Sequence, residues 1–193
     1  MSLLETPGEA LLAAVLAVLE RKGITSTAEI AERVAITDRA DPAQGARMVA
    51  KAWCDPDFKA LMLEDGARAA ESLGIPMRGL PPLGVLENTA EVHNLIVCTL
   101  CSCYPRAVLG YPPFWYKSAA FRARAVRDPR ALLADAWKTI LPEGVRLQVV
   151  DSTADYRWMV LPRRPEGTEG WSEDRLATLV REGDMVGVTV PKT

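Results

Sequence analysis

Cys98, Cys101 and Cys103 crowd into one short stretch, directly after the apolar run Val92-His93-Asn94-Leu95-Ile96-Val97. That run predicts a strand ending at the first cysteine. In a tight loop, thiols spaced C-x-x-C-x-C can point toward one centre. Three clustered cysteines without an export signal suggest metal or redox chemistry rather than a disulfide staple. Cys54, the fourth cysteine, follows Trp53 in a helical stretch and is expected to be a small core residue.

The texture of the chain changes before this loop. Residues 8–21 are rich in Ala, Leu and Glu and predict a helix, with Gly23 as its stop. Ser26 or Thr27, followed by Glu29, predicts a second helix to about residue 34. Residues 38–53 and 56–73 predict two more, separated at Asp55-Pro56 because proline disfavours helix in the residue before it. Residues 78–83 form a Pro- and Gly-bearing linker. Strands are expected at 84–87 and 92–97, and turns through 104–116. A helix should open at Asp128-Pro129 and run to about residue 140. Residues 145–150 alternate like a strand, with 157–161 as the expected hairpin partner. A short helix capped near Trp171-Ser172 should reach residue 181, and residues 185–190 should form a last strand. The expected fold is α+β: a helical N-terminal region over 1–80, then a mixed α/β layered domain over 81–193 carrying the cysteine loop.

The 193 residues are 49% hydrophobic and 25% charged with a net charge of -2, which suits a globular protein with one sizeable core. No long run of one sign marks a nucleic-acid or membrane surface, so neither partner is expected. The apolar stretch 10–19 is bounded by Glu9 and by Glu20-Arg21-Lys22. It is too short for a membrane span and wrongly flanked for a signal peptide, so a cytoplasmic location is expected.

Several centres could use the three thiols. Structural zinc wants four ligands, and the other candidates are Cys54 and the single histidine, His93. His93 could face the loop or be hydrogen-bonded in the sheet. A thioredoxin-like pair fits poorly, because no helix signal follows Cys98 and a third cysteine intrudes. An iron–sulfur cluster lacks a local fourth cysteine. The last option uses the backbone. Deprotonated amides of Ser102 and Cys103, with three sulfurs, would give five strong-field donors. Such a set suits low-spin trivalent cobalt or iron and leaves a sixth position open, as a catalytic metal requires.

The segment Val97-Cys98-Thr99-Leu100-Cys101-Ser102-Cys103-Tyr104 resembles the metal "claw" of nitrile hydratase α subunits. The resemblance includes Glu87-Asn88-Thr89, Val92-His93-Asn94, Pro112-Pro113, Trp115-Tyr116-Lys117-Ser118, Arg122 and Arg127-Asp128-Pro129-Arg130. It continues through Asp151, Arg157, Arg164-Pro165 and Gly167-Thr168-Glu169-Gly170-Trp171-Ser172. Before about residue 80 the likeness is only that of helicity. The resemblance implies metal ligation by the sulfurs of Cys98, Cys101 and Cys103 and the amides of Ser102 and Cys103. It implies Cys101 as sulfinate and Cys103 as sulfenate, the latter catalytic. Thr99 implies one trivalent cobalt per chain rather than iron. A β-type partner subunit is implied, with arginines that bind the cysteine oxygens, together with a metallochaperone or activator. The implied reaction is hydration of a nitrile to an amide.

Two positions depart from the pattern. Arg106 stands where the family commonly has a tryptophan lining the substrate pocket. In this it is similar to the γ subunit of thiocyanate hydrolase, the nearest alternative activity. The linker at 77–83 also lacks a glutamine that many α subunits carry near the pocket. A polar pocket would suit a bulky polar nitrile, as in the three-subunit nitrile hydratase that acts on the nucleoside toyocamycin. A non-catalytic zinc-binding module is the alternative from another class. The aromatic pair Trp115 and Tyr116 is expected to pack at the claw or an interface. The arginines at 122, 124, 127 and 130 read as a solvated or subunit-facing strip.

Overall fold

A computed structural model describes residues 7–193 of the chain. The signal-peptide reading falls partly on residues 1–6, outside the described residues. The chain divides into two units, one ending at Arg39 and one running Ala40–Thr193. Among the described residues, no helix is long and apolar enough to cross a membrane.

The first unit holds α1 (Pro7–Arg21) and α2 (Thr27–Asp38). Ser26 and Glu29 cap α2 reciprocally, each side chain engaging the other's backbone amide. Leu11, Leu12, Val15 and Val18 of α1 are exposed.

In the second unit, most of the longer helices start alike: an aspartate or serine accepts the first free amides. Asp41 caps α3 (Pro42–Cys54), Asp55 caps α4 (Pro56–Glu64), and Asp65 caps α5 (Gly66–Ser72). Two sequence-based boundaries are corrected here. The expected helix over 38–53 is split because α2 extends to Asp38 and Asp41-Pro42 restarts the chain. The expected helix over 56–73 is broken at Asp65, whose side chain accepts from the Arg68 amide. The turn-rich stretch after the cysteines contains two single-turn helices, α6 (Arg106–Leu109) and α7 (Phe114–Lys117). Next come α8 (Ala119–Arg127), capped by Ser118, and α9 (Pro129–Trp137), capped by Asp128. The helix expected to reach residue 140 stops at Trp137, because Lys138 turns left-handed at φ 57°. Later, α10 (Glu173–Ala177) is capped by Ser172 and is shorter than expected.

Among the described residues, four strands make two parallel pairs. β1 (Leu83–Glu87) pairs with β4 (Arg157–Leu161), and β2 (Val92–Val97) pairs with β3 (Arg146–Asp151). The expected β3–β4 hairpin is therefore wrong. The turn over 152–156 carries the chain from one sheet to the other. The Ser152 amide donates to the Val97 carbonyl and the Arg157 amide to the Pro82 carbonyl. Parallel pairing needs long crossovers, and α6–α9 provide one between β2 and β3.

The expected last strand is also wrong. Residues Glu182–Val186 form α11, ended by Gly187 at φ 88°. A Cβ on Gly187 would lie 1.9 Å from the Asn94 carbonyl oxygen, so this backbone packs directly on β2. His93 fastens the same contact: its Nε2–H donates to the Gly187 carbonyl at 2.7 Å, and Asn88 Nδ2 donates to its Nδ1 at 3.2 Å. Two features disfavour any substituent at Gly187: a positive φ and a backbone collision. Gly187→Ala should cost on the order of 3 kcal/mol, read as a lower urea midpoint. Gly144→Ala, with open space around it, should be nearly neutral.

Candidate metal centre

The parallel register sets the position of the cysteine loop. Val97, the last residue of β2, lies opposite Asp151, the last of β3. Cys98 therefore leaves the sheet beside the Asp151 carboxylate. Thr99 accepts that offer twice: its amide donates to Asp151 Oδ1 at 3.0 Å and its hydroxyl to Oδ2 at 2.5 Å. Arg122 of α8 donates to the Leu100 carbonyl at 2.9 Å. Tyr116 of α7 donates to the Cys103 carbonyl at 3.0 Å. Three different elements thus hold three points of one loop.

The sulfurs converge. Cys98 and Cys101 Sγ are 3.5 Å apart, Cys101 and Cys103 Sγ 3.2 Å, and all three lie within 4.8 Å of one another. The Cys101 amide donates to Cys98 Sγ at 3.3 Å. The backbone of Ser102 and Cys103 lies close to the Cys101 sulfur. Cys98 and Cys103 are buried, whereas Cys101 is exposed. Hydrogen bonds from Cys103 and Cys98 hold the Cys101 thiol below its ordinary value. Burial, reinforced by the bond to Cys101, pushes Cys103 up to about 12. Cys101 is thus more acidic than Cys103, and a bound cation would favour loss of thiol protons.

A cavity of about 400 Å³ opens beside the loop. Cys101, Ser102 and Cys103 form one side, and Met77 and Leu83 an apolar wall. Arg106 and Arg157 also line it, and among the described residues no carboxylate does. Arg106 opens α6, with its guanidinium 5.4 Å from the Tyr111 ring centroid. Arg157 Nη1 is buried without a hydrogen-bond partner among the described residues.

The other candidates lie elsewhere. His93 is consumed by Gly187 and Asn88, and the one converging ligand group among the described residues is Cys98, Cys101 and Cys103. Cys54 is exposed at the end of α3, not the core residue expected, because the face of α3 that packs inward carries Ala46, Met48, Val49 and Ala52. The arginine strip is not simply solvated. Arg122 holds the loop, Arg124 pairs with Asp135, and Arg130 donates to the Leu141 carbonyl at 3.1 Å. The Trp171 block is structural: Arg175 stacks 3.4 Å from the Trp171 ring centroid, and Arg164 Nε donates to the Thr168 hydroxyl at 3.0 Å.

The converging sulfurs make a group at a strand end that could hold a metal ion. Comparison with known proteins gives the particular family. The sequence model of "Nitrile hydratase, alpha chain" matches residues 6–189, including the helices before the cysteine loop. The α subunit of the low-molecular-weight cobalt-containing nitrile hydratase of Rhodococcus rhodochrous is 47% identical, over 92% of this chain and 86% of its own length. The γ subunit of thiocyanate hydrolase from Thiobacillus thioparus is 44% identical, over 78% of this chain and 66% of its own. A solved double mutant of the Fe-type nitrile hydratase of Comamonas testosteroni Ni1 is 41% identical with a TM-score of 0.79, covering 95% of this chain and 90% of that one. The chain belongs to the nitrile hydratase α-chain family.

Sequence reading assigned no site role to Arg122, Asp151 or Arg157, and treated Met77 and Leu83 as linker or its edge. Asp151 and Arg157 begin or end strands whose pairing the sequence did not disclose.

Burial depresses the His93 pKa, so the folded state binds fewer protons than the unfolded state. The stability that neutral His93 supplies is complete above the unfolded value of 6.5. It is lost as pH falls from there through the lower folded value. Thermal melts between about pH 7.5 and about pH 5 should show this decline. In His93→Gln the overall midpoint should be lower and this component of the decline absent.

Proposed function

We propose that this chain is the metal-binding α-type subunit of a cobalt nitrile hydratase. In this reading residues 81–193 are the metal-binding catalytic domain and residues 1–80 its helical N-terminal region. The observation that carries it is the convergence of three sulfurs at the end of β2, beside a cavity that no carboxylate lines among the described residues. Cys98, Cys101 and Cys103 supply sulfur, and the amides of Ser102 and Cys103, close to the same cluster, supply nitrogen. Five such donors suit a low-spin trivalent ion. Tetrahedral zinc takes four side-chain donors, and three converge among the described residues. Thr99 and the cobalt-containing relative favour cobalt, one per chain, over the iron of the Comamonas protein.

When bound, the cobalt supplies Lewis acidity that makes a nitrile carbon electrophilic. Cys101 is expected as sulfinate and Cys103 as sulfenate. Cys103 is the catalytic residue: its sulfenate oxygen attacks the nitrile carbon as a C–N π bond breaks. Water then attacks sulfur, cleaving the S–O bond to the product and restoring the sulfenate. Alternatively, the sulfenate takes the proton of a water that attacks the carbon. Oxygen is added to carbon and two protons to nitrogen, with no net redox change. Met77 and Leu83 keep their side of the cavity dry, which strengthens the charged contacts within it. Arg106 is the substrate-pocket residue that selects polar or anionic groups.

The oxygens on Cys101 and Cys103 need donors, and arginines of a β-type partner subunit are expected to supply some of them. The exposure of Leu100, 87% in the loop itself, supports a partner surface there. A metallochaperone or activator is expected to load the ion. The setting is cytoplasmic, with neither nucleic acid nor membrane as partner.

A second reading, thiocyanate hydrolase, is favoured by one observation: among the described residues the cavity carries two arginines and no acid, which suits an anion. A substrate panel of acrylonitrile, a heteroaromatic nucleoside nitrile and thiocyanate decides between them. Amide formation is expected to dominate. Carbonyl sulfide as the main product would replace the first reading by the second. Arg106→Trp should shift kcat/KM by roughly tenfold toward small apolar nitriles, the value of one charge-assisted contact.

Composition is tested separately. The active heteromer should hold about one cobalt per chain, two added oxygens on Cys101 and one on Cys103. Zinc with three reduced thiols would establish the non-catalytic module instead. Cys98→Ala, Cys101→Ala and Cys103→Ala should each abolish metal binding or turnover, and the isolated chain should turn over far more slowly than the assembled enzyme.

A further inference from the structure

Both ends of the cysteine loop lead to one residue, Ser152. At the entry, the Ser152 amide donates to the Val97 carbonyl at 2.7 Å, the residue before Cys98. At the exit, Tyr116 donates to the Cys103 carbonyl at 3.0 Å. The Ser152 side chain neighbours the Tyr116 hydroxyl. The Ser152 hydroxyl is itself fixed, since it accepts from the Trp158 amide of β4 at 3.1 Å. Ser152 is 1% exposed and Tyr116 fully buried. The Tyr116 ring cannot swing away, because Tyr104, Trp115 and Phe121 pack on it with centroids 4.9, 5.9 and 5.8 Å distant.

We infer that Ser152 and Tyr116 form a clamp that sets the span of the cysteine loop, with Tyr116 acting as a positioning residue through the Cys103 carbonyl. The inference rests on reading that loop as a metal centre. Its physical basis is local. The Cys103 carbonyl and the Cys103 side chain share one Cα, so rotation of that peptide re-aims the sulfur. That sulfur stands 3.2 Å from Cys101 Sγ, and metal–ligand distances tolerate shifts of only about 0.2 Å. Asp151 and Arg122 hold the first half of the loop; Tyr116 holds the end that carries the catalytic cysteine.

Tyr116→Phe in the co-expressed holo-heteromer keeps the ring and removes the hydrogen bond. Thr139→Val is the control: it removes an equally buried bond, from the Thr139 hydroxyl to the Val188 carbonyl at 2.8 Å, away from the loop. Three readouts are compared: metal loss to a chelator, sulfur-to-metal charge-transfer absorption, and the split between kcat and KM. Tyr116→Phe should lose metal about tenfold faster, as losses of residues supporting metal ligands commonly do. Its absorption band should shift, and kcat should fall while KM stays within about twofold. Ser152→Ala should act in the same direction more weakly, and it decides the matter if Tyr116→Phe does not fold. Thr139→Val should lower the thermal midpoint and leave all three readouts unchanged. Tyr116→Phe with wild-type metal retention and spectrum overturns the clamp, as does a control that behaves identically. If the unmodified protein carries zinc and no charge-transfer band, the enzyme reading fails, and chelator kinetics alone judge the clamp.

Discussion

The register of β2 against β3 is the constraint on which the site depends. Pairing Val97 with Asp151 puts a carboxylate at the point where the chain leaves the sheet, and Thr99 binds it with both amide and hydroxyl. A one-residue slip would turn every side chain of β3 to the opposite face and remove that anchor. The same strand end supplies Ser152, so the register governs entry and exit of the loop together. This is the general behaviour of parallel sheets, whose ligands gather at the carboxyl ends of strands. The register is locked from the other side as well. His93 and Gly187 bring α11 onto β2 with no room for a side chain between.

The site has one rigid side and one open side. On the rigid side stand aromatics and strand ends, with buried Tyr116 and Phe121 and half-buried Trp137 packed edge to face or tilted. On the open side are Cys101, Leu100 and Arg106, all exposed. Thiol acidity differs across the loop: hydrogen bonds lower the exposed Cys101 thiol, and burial raises that of Cys103. An exposed apolar residue in the middle of such a loop is what a chain working with a partner subunit requires. The cavity's arginines add a charge bias that the cysteines alone would not give.

The cysteine cluster was fully legible in the sequence, because its chemistry is written in residues close along the chain. Helix starts were partly legible through Asp-Pro and Ser caps. The breaks at Asp41 and Asp65 were missed because alanine-rich helical texture continued across them. Strand partners were not legible. A short turn over 152–156 suggested a hairpin, yet the preference of β3 and β4 for different parallel partners is set by contacts far away along the chain. Residues 185–190 read as a strand because apolar and β-branched residues alternate there. Gly187, needed at positive φ, converts them into a helix end and turn. Arg122 looked like surface charge because its acceptor, a loop carbonyl, has no sequence signature. Cys54 was misplaced by one step around a helix whose buried face is defined by its neighbours.

Cobalt K-edge X-ray absorption on the assembled, active protein tests the central claim most directly. The account predicts a trivalent, low-spin ion whose inner shell contains three sulfurs and two nitrogens, with one further light atom. A four-coordinate shell, an imidazole signature, or a shell lacking amide nitrogen would contradict it.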